Sequence, residues 1–371
     1  MTDPRLSVSI PYWQDRDPLD ALLVAEAADA LGFDRLWLGE MATFDAFALA
    51  TAIGRTSGRI PLCVGPLAVD VRSPMTIAMG VASVTALTGR PVDVALGTSS
   101  TVVVRDWHGR ERRRPAVHLE ESARIVRGLL NGEKVIFDGA VEHINGYRLR
   151  LPVPGSMIEE AVEPAWHRAP HPADRTTPGP VVSTRSNGHS AVADREIRRV
   201  ELGVAAFGER ALAAAARSAD RVVLNLVTPA QVARCVAAVR GFAAEAGLAA
   251  PAVSVWVTAA ADPLPEMLAT VRRGVVGYLR APGYDAMFTE AGFGDVVRLA
   301  HSGAHPREVL AAVPDELPAA VGMFGAADTL TSRLAAYRAA GADEVVVVPA
   351  TSAHDPAGSH TLETLARVRH E

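Results

Sequence analysis

The chain has 371 residues, 49% of them apolar, a length that suits one α/β barrel with insertions (commonly about 250 residues, sometimes more than about 400). Its net charge of −5 and pI near 6.1 exert no general pull toward nucleic acid or an anionic membrane, so neither is expected as a partner. Basic charge is almost all arginine, as in a GC-rich genome, and Lys134, the single lysine, falls in a polar turn, which sets aside catalysis through a lysine Schiff base.

Short apolar runs alternate with helical spacing from the N-terminus onward. Leu6–Pro11 reads as a strand and Pro18–Leu31 as a helix, then Arg35–Gly39 and Asp45–Thr56 repeat the pair. Ile60–Val64 is a buried strand stopped by Gly65-Pro66, Pro74–Leu87 a helix stopped by Gly89, and Val92–Leu96 a strand running into Gly97-Thr98-Ser99-Ser100. The helix Ala116–Asn131 follows. Later strands read as Val200–Ala206, Arg221–Leu226, Val253–Ala259 and Glu344–Pro349. The helices among them read as Arg210–Ala219, Pro229–Ala246, Leu264–Leu279 and Thr329–Ala340, and Thr361–His370 closes the chain. Eight strands, nearly all paired with helices, predict an α/β fold, a (β/α)8 TIM barrel, over residues 1–371 as one domain.

An insertion at about 133–199 breaks the rhythm. Its first part, KVIFDGAVEHINGYRLRL, reads as a hairpin; residues 155–199 are rich in Pro, Arg, His, Ser and Thr and suit either a loosely packed segment or a substrate lid. Cys63 and Cys235 stand apart in buried patterns, which fits a reducing cytoplasm and offers no zinc framework. The start MTDPRLSVSIPYW lacks the pattern of a signal peptide, and no apolar run approaches a membrane span of about 20 residues.

A barrel places its chemistry on the loops after the strands, which directs attention to 65–73 and 97–109. Glu40 closes the second strand on the axial side; its alternative role is capping or pairing in the barrel mouth. His108 is a candidate proton donor, with an unperturbed pKa near ~6.5, and Trp107 a candidate pocket wall. The run 105–114 holds five arginines, suited to an oligo-anion or to pairing with nearby acids. Gly203-Val-Ala-Ala-Phe-Gly208 is near a P-loop but continues Glu209-Arg210 where Lys-Ser/Thr is required. It still opens a helix whose first N–H groups, from Phe207 to Arg210, suit a phosphate. No metal motif and no Gly-x-Ser-x-Gly elbow is present in the sequence.

These pieces together resemble the bacterial-luciferase-like superfamily, especially its branch dependent on coenzyme F-420, a deazaflavin. The carriers are Ser9-Ile-Pro-Tyr12, LGFDRLWLGEM, the Gly65–Pro74 loop with Arg72-Ser-Pro, TALTGRPVDVALGTSS, GVAAFGERALAAAARSADRVVLN, VGMFGAADTL and YRAAGADEVVVVP. The resemblance implies a luciferase-like barrel, usually a homodimer, with the cofactor ring in the barrel mouth. It implies that Glu40 keeps the acid of an acid–histidine pair, with Met41 in the histidine's place. It implies a cis peptide behind the ring at Gly65-Pro66, where a cis bond before proline costs only ~0.5–1 kcal/mol. The phosphate site maps to Ala206, Phe207 and Gly208. Cofactor contacts are expected from Glu40, Gly65, Pro66, Leu67, Gly97, Thr98, Ala206, Phe207, Gly208 and Glu209. Substrate contacts are expected from Tyr12, Met41, Trp107 and Asn225, with His108 or Glu40 in the catalytic role. Ser99 or Ser100 stands where the family's sugar-phosphate dehydrogenases carry a catalytic glutamate, which argues against that activity. The expected function is hydride transfer from F-420 to a small-molecule or peptide substrate. The alternatives are an FMN-dependent monooxygenase and a non-catalytic flavin-binding relative.

Overall fold

Val-, Ile- and Leu-rich runs bounded by Gly or Pro become strands buried on both faces, and helices between them must cover the outside. In a computed structural model that describes residues 4–12, 15–40, 42–56, 58–151, 153 and 199–369, they do so in chain order. The first half runs β1 (Arg5–Ser9), α1 (Asp20–Ala30), β2 (Leu36–Leu38), α2 (Ala46–Gly54), β3 (Leu62–Ala68), α3 (Pro74–Thr88), β4 (Val92–Gly97) and α4 (Pro115–Leu130). The hairpin β5 (Lys134–Asp138) and β6 (His143–Arg148) follows, then β7 (Leu202–Ala205), α5 (Glu209–Ser218), β8 (Arg221–Asn225), α6 (Pro229–Glu245), β9 (Ala252–Ala261) and α7 (Pro265–Val276). The last part comprises α8 (Tyr284–Phe288), α9 (Gly294–His301), α10 (Pro306–Ala312), α11 (Glu316–Val321), β10 (Met323–Gly325), α12 (Ala327–Ala339), β11 (Glu344–Pro349) and α13 (Ser359–Val368).

The parallel order β9-β11-β1-β2-β3-β4-β7-β8 returns to β9, so eight strands close into a barrel. The short β10 is an addition. Ala259 pairs with both Pro349 of β11 and Met323 of β10, so β10 takes the β9 edge that β8 leaves after Trp256. The expected fold class therefore holds, and the hairpin read over 134–151 is antiparallel.

Two expectations need correction. The stretch after β4 is not a plain loop: Val102–Trp107 forms a π-helical turn. Nor is the stretch 280–328, between the two helices read before the last strand, without structure of its own, because α8 to α11 and β10 occupy it. These helices bury Leu279, Phe288, Val296 and Leu317 in a cluster of their own beside the barrel. The expected lid at 155–199 falls almost wholly outside the described residues. Among the described residues no helix is long and apolar enough to cross a membrane.

Candidate active site

Alternate residues of a strand point the same way, so the barrel interior is built in levels. The lowest level is charged. Glu344 is fully buried and accepts hydrogen bonds from the hydroxyls of Ser7 (2.5 Å) and Ser254 (2.6 Å) and from Trp37 Nε1 (3.2 Å). Arg35 reaches Asp93 (3.0 Å) and Glu201 (2.6 Å), and Arg221 reaches Glu201 (2.5 Å) and Glu344 (3.3 Å). These groups lie at the N-terminal ends of the strands, the end associated with stability.

The middle level is apolar and aromatic: Trp37, Cys63, Ala95, Val223, Trp256 and Val346. Trp37 and Trp256 meet edge to face at 5.7 Å, and Tyr12 stacks on Trp256 at 6.4 Å with ring planes 7° apart. Burial pushes the ionisation of Tyr12 upward, and that of the Cys63 thiol as well.

Two residues further along, the strands end small. Gly39, Gly65, Gly97 and Ala205 follow Trp37, Cys63, Ala95 and Gly203 on β2, β3, β4 and β7, which are consecutive in the barrel. The Gly65–Pro66 peptide is cis, as expected, and the β3–β4 register shifts between Val64 and Leu67. A Cβ on Gly97 would come within 3.2 Å of Pro66 Cβ and 3.6 Å of Ala205 Cβ, and one on Gly39 within 1.8 Å of the Tyr12 hydroxyl. A low wall of backbone and small side chains thus lines one side of the mouth.

The wall ends at the N-terminus of α5. Gly208 is the N-cap and no side chain caps the helix, so the N–H groups of its first turn face outward from an exposed start. The N–H of Ala206, one of the groups expected to meet a phosphate, is already committed to the Val223 carbonyl (3.3 Å). On the next strand, Asn225 Nδ2 donates to the Tyr284 hydroxyl at 3.2 Å. Phe207, Tyr278 and Phe288 pack around Tyr284, with ring centroids 4.6, 4.9 and 6.4 Å away.

The other expected residues divide. Glu40 is held by Arg72, whose Nε donates to it at 2.8 Å and whose terminal nitrogen also contacts it; Glu40 in addition accepts the Ala46 N–H (3.3 Å). Its position is the pairing and capping alternative raised for it. Asp45 completes the arrangement by capping α2 through Phe47 and Ala48 N–H, and these backbone donors together with Arg72 hold its carboxyl below the usual range against the opposing effect of burial. Leu67 is fully buried in the outer core, so its side chain is unavailable to a ligand. Thr98 Oγ1 accepts from Arg112 at 2.9 Å. Trp107 and His108 are exposed at the end of the π-helical turn, not enclosed. Met41 lies outside the described residues.

Sequence reasoning missed Trp256, Tyr278 and Tyr284, and it did not separate Arg112 from the other arginines of the 105–114 run. The alternation in Val253-Ser-Val-Trp-Val-Thr258 does turn Trp256 inward with Ser254, a signal present in the strand itself. The two tyrosines carry no comparable signal, since they sit in and before a five-residue helix.

The sequence profile of luciferase-like monooxygenases matches residues 8–344. The chain belongs to that family. Among curated relatives, a provisionally assigned coenzyme F-420-dependent oxidoreductase of Mycobacterium tuberculosis is 28% identical over 167 residues, which is 44% of this chain and 46% of that relative. The chain thus aligns with less than half the length of that relative. Among solved structures, coenzyme F-420-dependent tetrahydromethanopterin reductase from Methanopyrus kandleri superposes with a TM-score of 0.72, 16% identity and coverage of 99% of this chain and 98% of that one. The oxygenating constituent of 3,6-diketocamphane monooxygenase from a Pseudomonas putida plasmid, in complex with FMN, gives 0.64, 17%, 99% and 97%. At such identities the two superpositions establish the barrel fold that luciferase-like proteins share.

Proposed function

We propose that this luciferase-like chain is a coenzyme F-420-dependent oxidoreductase, a reductase delivering hydride to an activated C=C, C=N or carbonyl group of a small-molecule or peptide substrate. The observation that carries the reading is the continuous small-residue wall, Gly39-Gly65-Gly97-Ala205, leading to the uncapped N-terminus of α5. A planar ring fits against backbone where a Cβ would intrude, and a phosphate fits a helix start whose N–H groups lack acceptors. The F-420 dependence assigned to the Mycobacterium relative and to the Methanopyrus reductase supports the same choice.

Each residue then has a task. Pro66 and Gly97 back the ring, and Phe207, Gly208 and Glu209 offer backbone N–H groups to the phosphate. Tyr12 and Trp256 form the aromatic floor on the far side of the mouth, and Asn225 with Tyr284 sets the wall beside the phosphate site. Arg72 fixes Glu40, so Glu40 orders the loops after β2 and β3. His108, exposed at the mouth's edge, is the residue positioned to exchange a proton with solvent. Held there, F-420 would supply the hydride.

FMN with oxygen is the second reading, favoured by the FMN-bound Pseudomonas structure, because the same wall and helix start suit a flavin. Fluorescence titration decides between them. F-420 is expected to be quenched with micromolar or tighter affinity while FMN binds weakly. Purification with FMN tightly retained would overturn the proposal.

A further inference from the structure

The five arginines of residues 105–114 are not equivalent. Arg105 is exposed and neutralised by Asp106, with Nε to Oδ1 at 2.7 Å. Arg113 is exposed and neutralised by Glu111, with Nε and a terminal nitrogen at 3.0 and 2.9 Å. Arg110 and Arg114 extend into solvent. Arg112 alone turns inward. After the π-helical turn the chain doubles back, with Arg110 N–H on the Val104 carbonyl (2.9 Å), and Arg112 lands half-buried at the end of β4. One terminal nitrogen donates to Thr98 Oγ1 at 2.9 Å. Its Nε is buried with no acceptor, and among the described residues it makes no ion pair.

That arrangement is costly without a ligand. A guanidinium cannot shed its proton, so Arg112 keeps a full positive charge in a half-buried place. A buried N–H without an acceptor loses its hydration and gains nothing in return. If the side chain served only to hold Thr98, one neutral donor would suffice and no charge need be brought in. Thr98 directly follows Gly97, the wall residue that ends β4, so the hydrogen bond to Thr98 anchors Arg112 at that strand end.

We propose that Arg112 is an anion-binding residue of the barrel mouth, taking a carboxylate or phosphate oxygen carried either by the substrate or by the cofactor's own acidic tail. The first source makes Arg112 a specificity determinant for acidic substrates. The second makes it part of the cofactor site, and only that arm rests on the F-420 reading.

The test uses the full chain, sodium sulfate as the anion probe at constant ionic strength, and the variants Arg112→Gln, Arg112→Lys and Arg110→Gln. Sulfate affinity, read from thermal shift, is expected to fall by about tenfold or more in R112Q, in part in R112K and not in R110Q. If F-420 affinity falls in parallel and F-420 displaces sulfate, the anion belongs to the cofactor. If F-420 binds R112Q as it binds the parent and sulfate binds alongside it, the anion belongs to the substrate. Parent-like affinity of R112Q for both sulfate and F-420 overturns the proposal. So does a loss of affinity shared equally by a deazaflavin lacking phosphate and tail, since no anion is then involved. Should F-420 fail to bind the parent protein, the cofactor reading falls while the sulfate comparison still judges Arg112.

Discussion

Gly65 and Gly97 stand on neighbouring strands of the same wall, yet an added methyl group meets different atoms at each. At Gly65 it would lie 2.2 Å from the Ala95 carbonyl oxygen and 3.0 Å from Leu67 N, in a backbone with φ of +129°. Backbone atoms cannot move aside, and that φ is one L-residues rarely adopt. At Gly97 the nearest atoms are Pro66 Cβ at 3.2 Å and Ala205 Cβ at 3.6 Å, which can yield by a few tenths of an ångström. Gly65→Ala is therefore expected to cost more than about 2 kcal/mol of stability. Gly97→Ala should stay within about 1 kcal/mol of the parent but, on the proposed ring position, weaken F-420 binding by about tenfold or more, because the methyl thickens the wall between Pro66 and Ala205. Urea midpoints and fluorescence titration on the two variants separate these effects. A Gly97→Ala protein that binds F-420 as the parent does would show that the wall is not where the ring sits.

At the scale of elements, α4 joins the insertion hairpin to the loop that follows β3. His118 is buried, with Nδ1 3.0 Å from Asp70 and Nε2 2.9 Å from Glu142. Ser122 adds a hydrogen bond to Glu142, and Glu121 accepts the N–H groups of Ala140, Val141 and Glu142 at 2.7, 2.9 and 2.9 Å. Carboxylates only accept, so both ring nitrogens must donate and the imidazolium is the form that fits. Burial opposes the charge, but Asp70 and Glu142 outweigh it and raise the pKa from 6.5 to about 9. The stabilisation is therefore complete below the ordinary histidine value and is lost as pH rises through about 9. The parent's urea midpoint should fall between about pH 7 and pH 10 by this route. His118→Gln should be less stable at neutral pH by about 1–3 kcal/mol, lack that alkaline decline and exchange the hairpin amides faster. An equal alkaline decline in both proteins would exclude His118 as its origin. The strands and long helices were legible because their apolar spacing and Gly or Pro ends are local. The clamp was not, since its partners lie 48 and 24 positions from His118. Nor were α8 to α11 legible, because helices of five to eight residues show too few turns for a 3.6-residue period to stand out. Val102-Val-Val104, three β-branched residues, gave no hint of a helical turn.

Across the whole molecule, the two ends of the barrel divide the work, and sequence reasoning found one end better than the other. The mouth announces itself through glycines at strand ends, which is a local pattern. The charged base does not, because Ser254 and Glu344 are 90 positions apart and Arg35 and Glu201 are 166 apart, and only barrel closure brings them together. There, Arg35, Arg221 and Arg5 at the rim face Asp93, Glu201 and Glu344, three cations against three carboxylates. Burial works against the Glu201 charge, but Arg221 and Arg35 overcome it and hold its pKa at about 2 instead of 4.5. The same two arginines, with Ser254 and Ser7, keep Glu344 below its ordinary value against its own burial. A depressed carboxylate contributes stability that is complete above its unfolded value and lost as pH falls toward its folded one. Stability should thus decline as pH drops from about 5 to about 2, with Glu201 a principal cause. Glu201→Gln leaves Arg35 and Arg221 short of one counter-charge while the packing is nearly unchanged. Removing one partner from a buried ionic network costs about 3–5 kcal/mol, so the variant should unfold at markedly lower urea at pH 7. Its remaining stability should then depend less steeply on acid than the parent's. A parent and a Glu201→Gln protein with superimposable acid limbs would mean that the base of the barrel titrates elsewhere.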